Sequence, residues 1–162
     1  MKKFLFLLLT LLLIITSTNA MVLQAEVSVN EVPKALFGTW RINARLDKTN
    51  SYEKFKAQSV DYWTLSRTTD VISLANPFTG ANATISVNAV EGNLIIFTRK
   101  STYSTNQVLT DTVSLRLDEN KFSGINELKL ESFSLVDNHL MNTETAVYRI
   151  NGEKLSGEGI VK

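Results

Sequence analysis

The sequence has 162 residues, of which 44% are hydrophobic and 20% charged, with a formal net charge of +1. This length fits one domain and excludes a multidomain assembly. The chain contains no cysteine and a single histidine, which excludes disulfide scaffolds, thiolate metal sites, thiol catalysis and any site that needs two imidazoles.

The first twenty residues have the pattern of a secretory signal peptide. Two lysines precede an apolar run over residues 4–15, and small residues then lead to a cleavage site after Ala20. As a helix, this run spans about 18 Å, which is too short for a hydrocarbon core of about 30 Å. We therefore predict that residues 1–20 are removed and that the protein is periplasmic or extracellular in a bacterium.

The chain that remains after cleavage is nearly neutral. Loss of the two lysines leaves 15 Lys and Arg against 16 Asp and Glu, a net charge of −1. Nucleic-acid binding needs a concentrated basic surface, and adhesion to anionic membranes needs basic clusters. We expect neither kind of partner, and no stable membrane insertion after cleavage.

The mature chain begins with a lead-in and then turns into strands. Residues 21–36 alternate weakly and contain Pro33, which predicts an extended lead-in before a single barrel domain over residues 37–162. From Thr39 onward the apolar residues recur with period two, as in a half-buried strand. The apolar face of this first strand carries Trp40, Ile42, Ala44 and Leu46.

Eight further strands are predicted by the same pattern, separated by short polar connections. Asn151-Gly152 is the strongest hairpin signal, and Gly124 indicates a β-bulge because the apolar parity changes there. Residues 48–57 fit either one helical turn capped by Ser51 or a long loop. The strands are expected at residues 60–67, 71–75, 83–90, 94–103, 108–117, 122–133, 145–150 and 154–161.

Short turns place strands that are adjacent in sequence side by side. A meander of this length removes its exposed edges most simply by closing on itself. We therefore predict an all-β fold, an antiparallel up-and-down meander of eight to nine strands that forms a barrel. A two-layer Greek-key sandwich is the alternative, with residues 48–57 and 134–142 as its long crossings.

The segment over residues 32–46 contains Gly38-Thr39-Trp40 and resembles the first-strand signature of the lipocalins. In that family the tryptophan plugs the closed end of an eight-stranded barrel, a late arginine stacks on it, and the open end admits a hydrophobic molecule. The resemblance implies a structural plug of Gly38, Trp40 and Arg149, with Arg116 as a second candidate for the arginine. It covers the first third of the mature chain, and the family's C-terminal helix is not predicted here.

A ligand cavity would be lined by the apolar parity set. Trp63 fits either this lining or plain core packing, since a buried indole needs a partner for its ring nitrogen. Asp61 shares the parity of Trp63, so an inward carboxylate there would have to meet an arginine or a polar ligand. The candidate lining residues are Ile42, Ala44, Leu46, Trp63, Leu65, Val87, Phe97, Leu115 and Tyr148.

Catalytic chemistry is not indicated. His139 lies in the polar segment Asp137-Asn138-His139, where we expect a solvated side chain, and no Gly-x-Ser-x-Gly motif is present. The carboxylates lack the spacing of a calcium loop. We therefore predict no catalytic residue, no metal site and no cofactor.

The leading hypothesis is an exported, non-enzymatic protein that binds a small hydrophobic molecule in a lipocalin-like barrel. The alternative is a structural or protein-interaction β-domain of the cell envelope, with a filled core and function at residues 101–106 and the loop around His139. A small outer-membrane barrel ranks third, and an enzyme last. A cavity of about 300 Å³ or more would separate the first hypothesis from the second.

Overall fold

The computed structural model describes residues 27–69 and 71–157, so the predicted signal peptide and the predicted strand end beyond residue 157 lie outside the described residues. Two 3-10 helices, Val29–Glu31 and Lys34–Leu36, precede the sheet. The strands are β1 (Gly38–Thr49), β2 (Gln58–Arg67), β3 (Ile72–Ala75), β4 (Asn82–Glu91), β5 (Leu94–Ser104), β6 (Gln107–Asp118), β7 (Lys121–Phe133) and β8 (Leu140–Ser156).

The eight strands form one closed barrel in sequence order. Every neighbouring pair is antiparallel, and β8 returns to pair with β1. Closure leaves no strand edge unpaired, which removes the template for edge-to-edge association. The predicted all-β up-and-down barrel is confirmed, and the sandwich alternative is wrong.

The period-two pattern of β1 follows the wall of the barrel. Trp40 and Ile42 are buried inside, whereas Arg41, Asn43 and Arg45 are exposed outside. The other strands contribute to the same interior, because successive side chains of a strand point to opposite faces. The resulting core is one cluster of apolar side chains that extends from the lead-in into the barrel.

One strand replaces the last predicted hairpin. Asn151-Gly152 lies inside β8, which pairs on both sides, so that Gly152 is opposite Ile42 on β1 and Phe122 on β7. A side chain at Gly152 would overlap the Phe122 ring, which means that this glycine provides space for the ring. The hairpin prediction is therefore wrong, because pairing on both sides outweighs the local turn preference of the dipeptide.

The predicted bulge at Gly124 is also wrong. Gly124 pairs with Leu115 on β6 and Ile150 on β8 without a register shift. A Cβ atom at this position would overlap the backbone carbonyl oxygen of Ser114. The glycine thus permits a close approach of β6 and β7, a second role of glycine in strands that leaves the ladder regular.

The lead-in and the connection between β1 and β2 each contain short turns. The lead-in contains the two 3-10 helices instead of extended chain alone, and Leu36 at the end of the second is fully buried. Residues 50–57 form a loop with one turn, in which the Phe55 amide donates to the Ser51 carbonyl over 3.2 Å. The Ser51 hydroxyl does not cap this turn but donates to Glu144 over 2.7 Å.

Two ends of the barrel can now be defined. The closed end carries the lead-in, the β2–β3, β4–β5 and β6–β7 turns, and the end of β8. The open end carries the other four connections, over residues 50–57, 76–81, 105–106 and 134–139.

Candidate functional site: a polar cavity within the barrel

The closed end is sealed by Trp40. Its side chain is fully buried, and its indole nitrogen donates to the Leu36 carbonyl over 2.8 Å. The ring packs against Phe122 at 5.1 Å between centroids. The Lys154 ammonium lies 5.2 Å from the Trp40 ring centroid and donates to the Ala35 carbonyl over 2.6 Å, which adds a cation–π contact to the seal.

The cation over Trp40 is Lys154 and not Arg149, so the prediction for the arginine is corrected. Arg149 lies on the outer face, where its side chain is 72% exposed and pairs with Asp47 at 3.1 Å. Its parity is the reason, since Arg149 alternates with the inward residues Tyr148 and Ile150. Arg116 is likewise exposed.

Gly38 meets a steric requirement at the same end. Its φ is +132°, a value that favours glycine, and a Cβ atom there would overlap the Ser156 carbonyl oxygen. The start of β1 and the end of β8 can therefore come together only with glycine at this position. Gly38 thus lies next to Trp40 and Lys154 at the closed end, as part of the packing that closes the barrel.

Above the tryptophan, the interior contains a cavity of about 180 Å³. Its wall is partly apolar and partly polar, and it includes three charged residues. The lining residues are Ile42, Ala44, Ser59, Asp61, Trp63, Arg99, Leu109, Asp111, Asn126, Leu128, Tyr148 and Ile150.

Asp61 points inward, as its parity predicts, and its carboxylate accepts hydrogen bonds from neutral donors. The Trp63 indole nitrogen donates over 2.9 Å, the Asn76 amide over 2.5 Å, and the Tyr62 backbone amide over 2.8 Å. The indole of Trp63 and the carboxylate of Asp61 therefore satisfy each other.

A second carboxylate in the cavity is paired with an arginine. Arg99 on β5 and Asp111 on β6 are cross-strand partners, and the guanidinium donates to the carboxylate over 2.6 Å. Asp111 is 4% exposed, and this burial raises its pKa above the usual value. The charge and the hydrogen bond of the neighbouring Arg99 oppose the rise, while the Asp61 charge adds to it.

Three buried polar atoms of this cluster have no hydrogen-bond partner among the described residues. They are the Nε donor of Arg99 and the Oδ1 acceptors of Asp111 and Asn126. Buried polar groups are nearly always paired in folded proteins, because an unpaired group costs about 1–3 kcal/mol. Two further buried atoms without a partner among the described residues, on Thr110 and Asn120, lie outside the cavity lining.

The structure divides the predicted lining residues into two groups. Ile42, Ala44, Trp63 and Tyr148 line the cavity. The remaining five lie outside its wall, in or against the apolar core: Leu46, Leu65, Val87, Phe97 and Leu115. These five pack with neighbouring apolar side chains. Core packing therefore occupies much of the interior space that the sequence pattern predicted to be a cavity.

Sequence reasoning missed Arg99, Asp111 and Asn126. Arg99 has the parity of the inward residue Phe97, and Asp111 that of Val113. A charged residue in phase with an apolar face was therefore the available signal, as it was for Asp61. Recognising that the two charges meet required the register between β5 and β6.

The open end carries several exposed apolar side chains. The Tyr148 hydroxyl donates to the Lys56 carbonyl over 2.9 Å, which ties the loop over residues 50–57 to the cavity wall. Several large side chains in or next to the open-end connections are half exposed or more. We call them the apolar rim: Tyr52, Phe78, Tyr103, Leu135, Val136, Leu140 and Met141.

The remaining sequence candidates show no catalytic arrangement. His139 is exposed, as predicted, and its Nδ1 lies 2.6 Å from an Asp137 carboxylate oxygen in the β7–β8 loop. Ser134 and His139 hydrogen-bond to Asp137 and lower its pKa. Within residues 27–69 and 71–157, no group of three or more His, Cys, Asp or Glu side chains is placed to hold a metal ion.

Comparisons with models of protein families, with curated proteins and with solved structures find no match to this chain. In the part of the chain that the structure describes, no helix has the length and apolar character needed to cross a membrane. The eight-stranded barrel is compatible with a lipocalin-like fold.

Proposed function

We propose that this protein is an exported, non-enzymatic binding protein that takes a small, mainly apolar molecule into its barrel. The observation that carries the proposal is the interior cavity with three unpartnered polar atoms at its wall. Trp40 seals one end, so the ligand enters at the other, past the apolar rim. Aliphatic side chains, including Ile42, Leu109 and Leu128, supply apolar surface whose burial favours binding by about 25 cal/mol per Å².

The volume of the cavity limits the ligand. Drug-sized molecules occupy pockets of about 300–1,000 Å³, whereas a cavity of about 150 Å³ in another protein holds benzene. At about 180 Å³ the cavity therefore takes a ligand slightly larger than benzene. A long acyl chain does not fit inside, and a larger ligand would extend towards the apolar rim.

A second candidate function is a structural or protein-interaction β-domain of the cell envelope. Two observations favour it: the cavity is smaller than the 300 Å³ that a drug-sized ligand needs, and the apolar rim is highly exposed. Val136 is 96% exposed and Tyr52 is 78% exposed. Exposed apolar clusters of this kind mark contact surfaces in soluble proteins.

Titration followed by NMR separates the two functions. The chain has two tryptophans, and Trp63 lines the cavity whereas Trp40 lies in the plug, so their indole N–H signals report on different places. We expect toluene and indole to shift the Trp63 signal and to leave the Trp40 signal in place. We expect laurate to bind more weakly than either, because its chain exceeds the cavity.

Filling the cavity provides the matched test. Ala44→Leu places extra volume in the cavity wall and should abolish the shift of Trp63, while Ala57→Leu adds the same atoms at an exposed loop position outside that wall. Equal binding by the two variants, or no shift with any probe, would reject the binding role. Either result would leave the interaction domain as the better description.

A further inference from the structure

We propose that the cavity is specific for a small organic ammonium ion, whose N–H groups donate to Asp111 and Asn126. This inference rests on the proposed binding function and names the chemical class of its ligand. It concerns the polar side of the cavity, where the ligand's charged end would lie, while its apolar body faces the aliphatic wall.

The charges of the cavity favour a cation. Its lining contains two carboxylates, Asp61 and Asp111, and one guanidinium, Arg99. The formal charges of these three side chains sum to −1, and the hydrogen bonds to Asp61 come from neutral groups. A buried charge without a counter-charge is costly, so a bound monocation would neutralise the site.

The unpartnered atoms point to the same class of ligand. Two of the three are acceptors, Asp111 Oδ1 and Asn126 Oδ1, and only Arg99 Nε is a donor. An ammonium group carries three donors and no acceptor, so one group can satisfy both oxygens. A carboxylate ligand could satisfy Arg99 Nε alone and would add negative charge beside Asp111.

The aromatic wall is consistent with a cation as well. Trp63 and Tyr148 both line the cavity. The Trp63 indole N–H already donates to Asp61, and the Tyr148 hydroxyl already donates to the Lys56 carbonyl. The rings therefore contribute no further polar hydrogen to a ligand. Aromatic rings attract organic cations, and the attraction is stronger where water is excluded.

Three probes of similar shape and different charge test the inference. Phenethylamine is a cation at pH 7, 2-phenylethanol is neutral and phenylacetate is an anion. We expect phenethylamine to shift the Trp63 indole N–H signal with at least tenfold higher affinity than 2-phenylethanol, and phenylacetate to bind weakest. The measurement is an NMR titration of the purified protein, with calorimetry to fix the dissociation constants.

Variants assign the preference to the polar groups. Asp111→Asn removes the acceptor charge and should lower the affinity for phenethylamine at least tenfold, with little change for 2-phenylethanol. Asp118→Asn makes the same change at an exposed position of the same strand and should leave both affinities unchanged. Asn126→Leu keeps the side-chain shape, removes one acceptor, and decides the matter if Asp111→Asn does not fold.

The outcomes separate this inference from the function on which it rests. If 2-phenylethanol binds as tightly as phenethylamine, and neither Asp111→Asn nor Asn126→Leu changes the ratio, the ammonium specificity is wrong while the binding cavity stands. If none of the probes shifts the Trp63 signal, the binding function is wrong and the inference fails with it.

Discussion

The two ends of the barrel differ in how their interior side chains pack and form hydrogen bonds. At the closed end, the Phe122 ring packs against Trp40 and Trp63 with centroids 5.1 and 6.2 Å away, and the Trp40 indole nitrogen donates to the Leu36 carbonyl. In the open half, Arg99 and Asp111 form an ion pair, and Arg99 Nε and Asp111 Oδ1 have no partner among the described residues. The first arrangement gains free energy from burial, whereas the second retains a desolvation cost.

This difference teaches where stability and binding reside. Aromatic packing tolerates no missing atoms, since each cavity left behind costs free energy. Polar groups without partners weaken the fold, and under the proposed function they provide directional contacts for the ligand. We therefore expect mutations at the closed end to act on stability, and mutations of the polar cluster to act on binding with a smaller or opposite effect on stability.

The largest expected effect comes from breaking the closed end. Trp40→Ala removes a fully buried indole and its hydrogen bond to Leu36, and should lower the free energy of unfolding by about 3–5 kcal/mol. Tyr52→Ala, at an exposed site of the open end, should change it by less than about 0.5 kcal/mol. Urea denaturation measures both, and similar losses for the two variants would contradict the contrast between the ends.

A smaller effect is expected from the polar cluster. Arg99→Met strands Asp111, and breaking a buried pair costs up to about 3–5 kcal/mol, with less expected here because the Arg99 side chain is 23% exposed. Adding Asp111→Leu should restore the wild-type stability or exceed it by about 1–4 kcal/mol. The same denaturation series checks this, and a double variant that stays less stable than wild type would show that the pair is a net stabiliser.

The smallest effect is a pH dependence that arises from Asp111. Its pKa is raised in the folded state, so the folded state holds this proton at pH values where the unfolded chain has released it. The stability contributed by Asp111 should therefore fall as the pH rises from about 3.8 through the raised folded pKa. The free-energy difference between wild type and the non-titrating Asp111→Asn, followed from pH 3 upward, measures it. A rise over this range would mean that the Arg99 charge outweighs burial.

Much of the fold follows from short-range patterns in the sequence. The alternation from Trp40 to Leu46 places β1 correctly, and the short turns predict the up-and-down order because they leave only two segments long enough for a crossing. Asn151-Gly152 misleads for the converse reason. Its local turn preference is real, but the space that Phe122 needs and the pairing with β1 and β7 decide its conformation.

The site was less accessible to such reasoning than the fold. Asp61 can be recognised from one strand alone, because its parity matches that of Trp63. The pairing of Arg99 with Asp111 depends on the register of two strands, and Lys154 replaces Arg149 over Trp40 because of its inward parity on β8. The volume of the cavity depends on how completely the core side chains fill the interior, which no single strand reveals.

The proximity of Gly38 and Gly157 has a mechanical consequence. The Cβ position of Gly157 lies within 2.7 Å of the Phe37 carbonyl oxygen, so the chain enters and leaves the barrel at one pole. A tether attached before Gly38 or after Gly157 would hold the molecule by its closed end and direct the open end outward. Joining the chain between these two glycines and cutting it in the loop over residues 134–139 would yield a circular permutant with the same eight strands.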